Sequence, residues 1–274
     1  MSTRLYDLVR ASHPNVRELL ASGKVFYGGV PTGDGGRMVD ETRVLVRSDA
    51  PRMRPGVDPA IVWRDASFVV VYKPPGMLAV PAPHRRETNV MAFVGKLLGS
   101  AFPVHRIDEG TSGLMMVALT TQAQAALKGI LEEHAVERRY LALVRGRFPP
   151  GERRVESMLV RNRGDGFRGT GEGETARKAI THFRAIEGFG SVTLVEARLE
   201  TGRTHQVRIH LSEKGFPILG DPLYGDGKGA PRLALHAAVL GFTHPVTGAA
   251  MRWEAPLADD LDRLIRDRLS GKER

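Results

Sequence analysis

Asp108 is the residue on which chemistry is most readily placed. It lies in Val104-His105-Arg106-Ile107-Asp108-Glu109-Gly110-Thr111-Ser112-Gly113-Leu114. A carboxylate can act as nucleophile, as general base or as an electrostatic stabiliser of a developing cation. Gly110 and Gly113 admit backbone angles closed to other residues, so a tight loop is expected, feeding Leu114 to Leu119 as a strand. On an extended backbone Arg106 and Asp108, two apart, face the same way. Loops held by a rigid scaffold often carry catalytic groups; taken alone, these residues also fit an Asp in an ordinary turn. A second polar concentration is Glu200-Thr201-Gly202-Arg203-Thr204-His205-Gln206-Val207-Arg208-Ile209-His210-Leu211, with Gly220-Asp221 after it. His205 and His210 with Asp221 nearby invite a metal reading. They are five apart, however, not the four of a helical zinc pair, and no acid follows at the required step. No metal is therefore expected, and helix capping or core hydrogen bonds are the roles expected of these histidines.

The stretch around Asp108 resembles the signature of the RNA pseudouridine synthases of the large-subunit ribosomal RNA class A type, approximately His-Arg-Leu-Asp-x-x-Thr-Ser-Gly-Leu. Further elements follow that family's order. Tyr72-Lys73-Pro74-Pro75-Gly76 resembles Asn-Lys-Pro-x-Gly, and Tyr140 to Gly146 resembles Tyr-x-Ala-x-Val-x-Gly. Thr201 to His210 is similar to Thr-Gly-Arg-x-His-Gln-Ile-Arg-x-His, and Gly215 to Gly225 to Gly-x-Pro-Ile-x-Gly-Asp-x-x-Tyr-Gly. Leu235 to Pro245 resembles Leu-His-Ala-x-x-Leu-x-Phe-x-His-Pro. The resemblance covers residues 60 to 255 and departs at Tyr72 and at Glu109-Gly110. It implies an α+β pseudouridine synthase fold, with a central mixed, mostly antiparallel sheet flanked by helices. It implies Asp108 as the catalytic aspartate, Tyr140 as the active-site tyrosine stacking on the base, and Arg208 as the partner that keeps Asp108 ionised. Arg106 would fill the space left by a flipped base; its alternative is an ion pair with Glu109. Lys73, Thr111, Arg203 and His205 would bind substrate. Lys73 also reads as a strand-end surface charge, and Tyr140 as a core tyrosine. Glu109 would tune Asp108 or meet an RNA phosphate.

The rest of the chain must position these groups. Its 274 residues suffice for a large domain and a small one, and 42% hydrophobic residues supply a core. A net charge of +9, from 40 Lys+Arg against 31 Asp+Glu, suits a polyanionic partner such as RNA. Cysteine is absent, which excludes disulfides, a thiol nucleophile and a Cys-type zinc site. No stretch approaches the roughly 18 apolar residues of a membrane span. The N-terminus shows no apolar core of a signal peptide, so no membrane partner and a cytoplasmic location are expected.

Residues 1–50 read as a small α/β unit resembling the S-four-type RNA-binding domain: helices at Leu5 to Arg10 and Val16 to Leu20, a closing Gly23, and strands Val25 to Tyr27 and Val44 to Val46. Its candidate basic face is Arg10, Arg17, Lys24, Arg37 and Arg43. Residues 51–59, with Pro51, Arg52, Arg54, Pro55, Gly56 and Pro59, form a linker, and 60–274 the catalytic domain. Within the latter, strands are expected at Ile61 to Trp63, Phe68 to Tyr72, Val136 to Gly146, Lys178 to Arg184 and Val192 to Ala197. A helix over Thr88 to Leu98 would bury Val90, Met91, Val94, Leu97 and Leu98. Another runs from a capping box at Thr121 to about His134, with Ala123, Ala126, Leu127, Ile130 and Leu131 inward. The last, over 258–269, turns Leu261, Leu264, Ile265 and Leu269 inward, and Ser270 to Arg274 should fray. Phe148 to Arg177, polar and glycine-rich, reads as a partly mobile hairpin or loop, whose arginines either contact RNA or belong to a merely solvated insertion.

The function expected is isomerisation of specific uridines in ribosomal or transfer RNA, by a monomer and after base flipping. Nothing is oxidised and no group is carried in, so no cofactor is required. A non-catalytic RNA-binding or ribosome-assembly factor on the same scaffold is the alternative. A hydrolase with an Asp nucleophile is a third, but it wants two carboxylates in register, and Glu109, adjacent to Asp108, would face away on a strand.

Overall fold

Uninterrupted apolar runs need cover on both faces, and here they form the buried strands that lead to the candidate loop. A computed structural model describes residues 2–50, 53–85 and 87–270. Pro51 and Arg52 of the expected linker, and 271–274 of the terminus expected to fray, lie outside the described residues. The chain divides into two compact units, Met1–Lys128 with Trp253–Arg274, and Gly129–Arg252. The division thus falls within the stretch expected as one catalytic domain, and residues 2–50 share a unit with the last helix.

The first unit begins with β1 (Thr3–Arg4), α1 (Leu5–Arg10), α2 (Val16–Ala21), β2 (Val25–Tyr27), β3 (Val30–Pro31), β4 (Met38–Val39) and β5 (Val44–Val46). Leu5, Val9, Val16, Leu19 and Val25 gather into a small core of this segment. Gly23, at φ 68°, ends α2 as expected: its N–H donates to the Leu20 carbonyl and the Lys24 N–H to that of Leu19, a Schellman closure. β2 pairs antiparallel with β3 and β5.

β6 (Ala60–Arg64), β7 (Phe68–Lys73), α3 (Val90–Leu98), β8 (Phe102–Pro103), β9 (Ser112–Ala118) and α4 (Thr121–Glu132) follow. β7 pairs antiparallel with β6 on one side and β9 on the other, and every residue of β7 and β9 is buried. α3 starts at Val90, not Thr88, because the Asn89 side chain accepts the Ala92 N–H. Its Leu97 is exposed rather than inward. In α4 the cap is Thr120, whose hydroxyl accepts the Ala123 N–H; with Ala123 three residues on, it closes no capping box, and the one expected at Thr121 does not form. Ala126 is exposed, and only one apolar stripe through Ala123 and Leu127 is fully buried.

The second unit holds β10 (Glu137–Arg145), β11 (Glu152–Val160), β12 (Gly169–Thr170), β13 (Arg177–Phe189), β14 (Val192–Leu199), α5 (Gln206–Glu213) and β15 (Leu235–Thr243). Its sheet runs β12-β11-β13-β14-β10-β15, antiparallel throughout. The arginine-rich stretch expected as hairpin or loop contains a hairpin, β11 pairing antiparallel with β12, and β11 is also in register with β13 from Glu152↔Arg184 to Leu159↔Arg177. Ion pairs across the ladder, such as Lys178–Glu156 at 2.6 Å, occupy part of the charge assigned there to RNA.

β16 (Ala250–Glu254) leads back into the first unit and to α6 (Asp259–Leu269). Leu261 is fully buried, whereas Leu269 is exposed and not inward as expected. α6 fastens the N-terminal segment. Buried Arg37 donates to Asp259 at 2.7 Å and to the Leu257 carbonyl, and Arg266 pairs with Asp34. Arg37 therefore leaves the candidate basic face. The architecture is α+β, and no described helix is long and apolar enough to cross a membrane.

Candidate active site

In the first unit, the Asp108 loop joins β8 to β9 and is anchored along its length. Before Asp108, the His105 Nε2 accepts the Met116 N–H at 3.0 Å, tying the loop to β9. After it, the Thr111 N–H donates to the Asp108 carbonyl at 3.0 Å and closes the turn. Beneath it lies Lys73, at the end of β7 and wholly buried. Its ammonium donates to the carbonyls of Pro74 (2.9 Å), Met77 (2.8 Å) and Glu109 (2.9 Å). The Gly76 N–H also reaches the Glu109 carbonyl, at 2.8 Å. Lys73 is thus neither a surface charge nor exposed to a substrate: an ammonium with all its protons directed at carbonyls braces the loop. Gly113 follows at φ 114°, a backbone conformation that side chains resist.

Asp108 is partly buried, Arg106 exposed, and Thr111 buried. Arg106 makes no ion pair with Glu109. That carboxylate is held bidentate by Arg85, at 2.7 and 3.0 Å. The Thr111 hydroxyl is buried without a hydrogen-bond partner among the described residues, an unsatisfied group beside the Asp108 turn. The Arg85–Glu109 pair joins residues with no periodic relation, and no sequence pattern pointed to it.

In the second unit, Tyr140 sits in β10, buried, opposite Ala197 of β14 and Ala237 of β15. Arg208, on α5, is buried and donates Nε and Nη2 to the two oxygens of Asp221, each at 2.8 Å. Asp221 also accepts the Leu223 and Tyr224 amides. Burial pushes its pKa up, but the Arg208 hydrogen bonds and charge and the two amides outweigh that and leave it below the ordinary carboxylate value. Arg208 lies 5.1 Å from the Tyr224 ring centroid, a cation–π contact. Asp221 can sit here because Gly220 precedes it at φ 68°; a Cβ there would lie 2.0 Å from the Arg232 carbonyl oxygen. The Gly-Asp pair of the sequence carried this signal, which the metal question obscured.

His205 is left-handed at φ 59° at the start of α5, and its Nδ1 is 2.9 Å from the Tyr224 hydroxyl; its side chain does not cap the helix. Gln206 ties the turn together, accepting from the Thr201 hydroxyl and the Arg203 N–H and donating to Ile180 and Thr181. His210 is buried between Thr181 and Ser157, both at 2.9 Å. Burial pushes its pKa down to about 4. Arg203 is exposed, with Nε on the Lys178 carbonyl at 3.0 Å. Among the described residues no group of three or more His, Asp or Glu is arranged to hold a metal ion.

Residues 67–213 match the RNA pseudouridylate synthase family, a span that contains Lys73, Arg106, Asp108, Thr111, Tyr140, Arg203, His205 and Arg208. An uncharacterized RNA pseudouridine synthase of Bacillus subtilis is 36% identical, over 93% of this chain and 88% of the relative. A ribosomal large subunit pseudouridine synthase D of Zymomonas mobilis is 35% identical, over 94% and 90%. Among solved structures, human RNA pseudouridylate synthase domain containing 1 superposes with a TM-score of 0.62 at 24% identity, covering 80% of this chain and 98% of that one, which shows the shared fold. The order of motifs, the fold and these likenesses agree: the chain belongs to the RNA pseudouridylate synthase family, of the large-subunit class A type, and is an RNA pseudouridine synthase.

Proposed function

We propose that the protein, a cytoplasmic monomer, converts specific uridines of ribosomal or transfer RNA to pseudouridine with Asp108 as its catalytic carboxylate. The N1–C1′ bond breaks, the uracil turns, C5 bonds to C1′, the C5 proton leaves and N1 gains one. Product and substrate are isomers, so the balance calls for no second reactant. Asp108 acts on the ribose as the bond breaks, as nucleophile or base. Tyr140 stacks on the base and assists the late proton transfer, and Arg208 keeps the carboxylate ionised. Extracting the uridine from its stack costs roughly a few kcal/mol. Arg106, exposed and next but one to Asp108, fills the space left behind.

The observation that supports this reading is the bracing of one loop carboxylate, from His105 on one side and Lys73 below, within the span that matches the family. The test is a pseudouridine map of total RNA from cells with and without the protein, with wild type or Asp108→Asn restored. Discrete sites are expected to vanish and to return with wild type alone, while Asp108→Asn still binds RNA. Equal restoration by the Asn variant would remove Asp108 from the chemistry.

A further inference from the structure

Arg138 is a buried cation whose partner is missing from its surroundings. It is 7% exposed, on β10 two residues before Tyr140. Its Nη2 donates to the Glu200 carbonyl at 3.0 Å, and its Nε is buried with no hydrogen-bond partner. Among the described residues no carboxylate pairs with it. The nearby acids are engaged elsewhere: Glu137 with Arg139 and Arg252, and Glu200 with His182. Another cation, Arg203, is close enough to act on its charge; it has no carboxylate either and uses its Nε on the Lys178 carbonyl. Burial pulls the Arg138 pKa down, Tyr140 raises it in part, and the Arg203 charge lowers it again.

Gly202 shows how this guanidinium communicates with the surface. A Cβ on Gly202 would lie 2.4 Å from Arg138 Nη1, so the absence of a side chain is what admits the group. Gly202 itself is exposed, as are Arg203 and Thr204 after it. A buried guanidinium with unmet donors is costly, and two guanidiniums side by side repel. Both costs are relieved by one anion bound from outside. A guanidinium fork matches the oxygens of a phosphate, whereas a uracil carbonyl offers no net charge to balance two cations.

We propose that Arg138 and Arg203, flanking Gly202, form a subsite for one phosphodiester of the substrate RNA. The proposal rests on the reading of RNA as substrate and adds to it a specific backbone contact. It assigns to the Thr-Gly-Arg element a role in holding RNA: glycine opens the way to Arg138, and arginine supplies the second cation.

The experiment compares binding of a short oligouridylate and its uncharged methylphosphonate counterpart to the full-length protein and to Arg138→Met, Arg203→Met and Arg145→Met. The last removes an arginine paired with Asp226 and controls for net charge. Arg138→Met is expected to bind the phosphodiester roughly tenfold more weakly. The slope of log affinity against log salt should fall by about 0.7, the release expected for one phosphate of a single strand. Arg203→Met should move both in the same direction, and neither variant should differ from wild type on the methylphosphonate. Melting temperature supplies a readout that a structural arginine would move the other way: Arg138→Met should melt at or above wild type, because it removes an unbalanced buried charge. Wild-type affinity and slope in Arg138→Met would overturn the subsite while leaving RNA recognition intact. A lower melting temperature with equal losses on both oligomers would make Arg138 structural and also overturn it. If wild type binds the two oligomers alike, the reading of a phosphate-contacting RNA enzyme fails first, and the subsite with it.

Discussion

Lys73 and Arg138 are both cations withdrawn from water, one in each unit, and they are treated oppositely. Lys73 is wholly buried, and three carbonyl oxygens at 2.8 to 2.9 Å receive its protons, one of them from Glu109 beside Asp108. Arg138 is nearly as buried, but it gives one hydrogen bond to a carbonyl and leaves its Nε unmatched. The first cation has its protons taken up by carbonyls of the fold and holds a loop in shape. The second is left unsatisfied by the fold, which is the condition for an external anion to complete it. Burial alone therefore does not separate a structural charge from a functional one; the count of unmet donors does.

The sharpest way to break this comparison is to remove each cation in turn. Lys73→Met takes the ammonium from the Pro74 and Met77 carbonyls, while the Glu109 carbonyl keeps the Gly76 N–H; at about 1–3 kcal/mol for each that finds no new partner, a loss of about 2 kcal/mol or more is expected in urea unfolding. With the loop released, pseudouridine formation should fall about a hundredfold, as a misplacement of about 1 Å can cost that much. Arg138→Met should lose no stability. Equal destabilisation by the two substitutions would erase the distinction between them.

His210 extends the comparison to a buried group that stays neutral. Its folded pKa is about 4, lowered from 6.5 chiefly by burial, with Glu213 raising it and Lys214 lowering it. A depressed histidine takes up its proton only on unfolding, so below pH 6.5 the unfolded chain binds more protons and stability falls with pH until about 4. Integrated over that window the contribution is about 3 kcal/mol. His210→Gln should flatten the pH dependence of urea unfolding between those limits. An unchanged profile would mean that His210 is protonated in the folded protein as readily as outside it.

How far such features were legible in the sequence depended on whether they were local. The Asp108 loop, the strands around it and the Schellman glycine Gly23 are written in contiguous residues, and the structure places them where that pattern put them. Boundaries shifted by one or two residues where a side chain took the cap, as Asn89 and Thr120 do. Of β11 only its place in a hairpin was legible, since its charges equally imitate a solvated loop; they are matched across the ladder by β13, whose pairing no local window contains. Leu97 and Leu269 keep helical spacing yet stand beyond the reach of the core they point along. Lys73 was the least legible. A lysine before Pro-Pro-Gly looks like surface, and its burial is decided by the Glu109 carbonyl, far away in the chain. Arg138 is equally illegible, since its lack of an acid is visible only once Glu137 and Glu200 are seen to be engaged elsewhere.

The smallest effect expected belongs to the pair that most resembles catalytic machinery in the sequence. Glu109 adjoins Asp108, and Arg85 holds its carboxylate bidentate, so that the acid next to Asp108 is neutralised by a neighbour. The pair is more than a third exposed on both sides, where an ion pair contributes about 0–1 kcal/mol and is screened by salt. What fastens this residue is its backbone: the Glu109 carbonyl accepts from Lys73 and Gly76 whatever the side chain does. Glu109→Gln should therefore change the unfolding free energy by less than about 1 kcal/mol, while the turn keeps its shape. Its rate of pseudouridine formation should stay within roughly threefold of wild type, because no acid is expected to act beside Asp108. A loss as deep as that of Lys73→Met would show that the Glu109 carboxylate takes part in the reaction, and that side chain rather than backbone is what this position supplies.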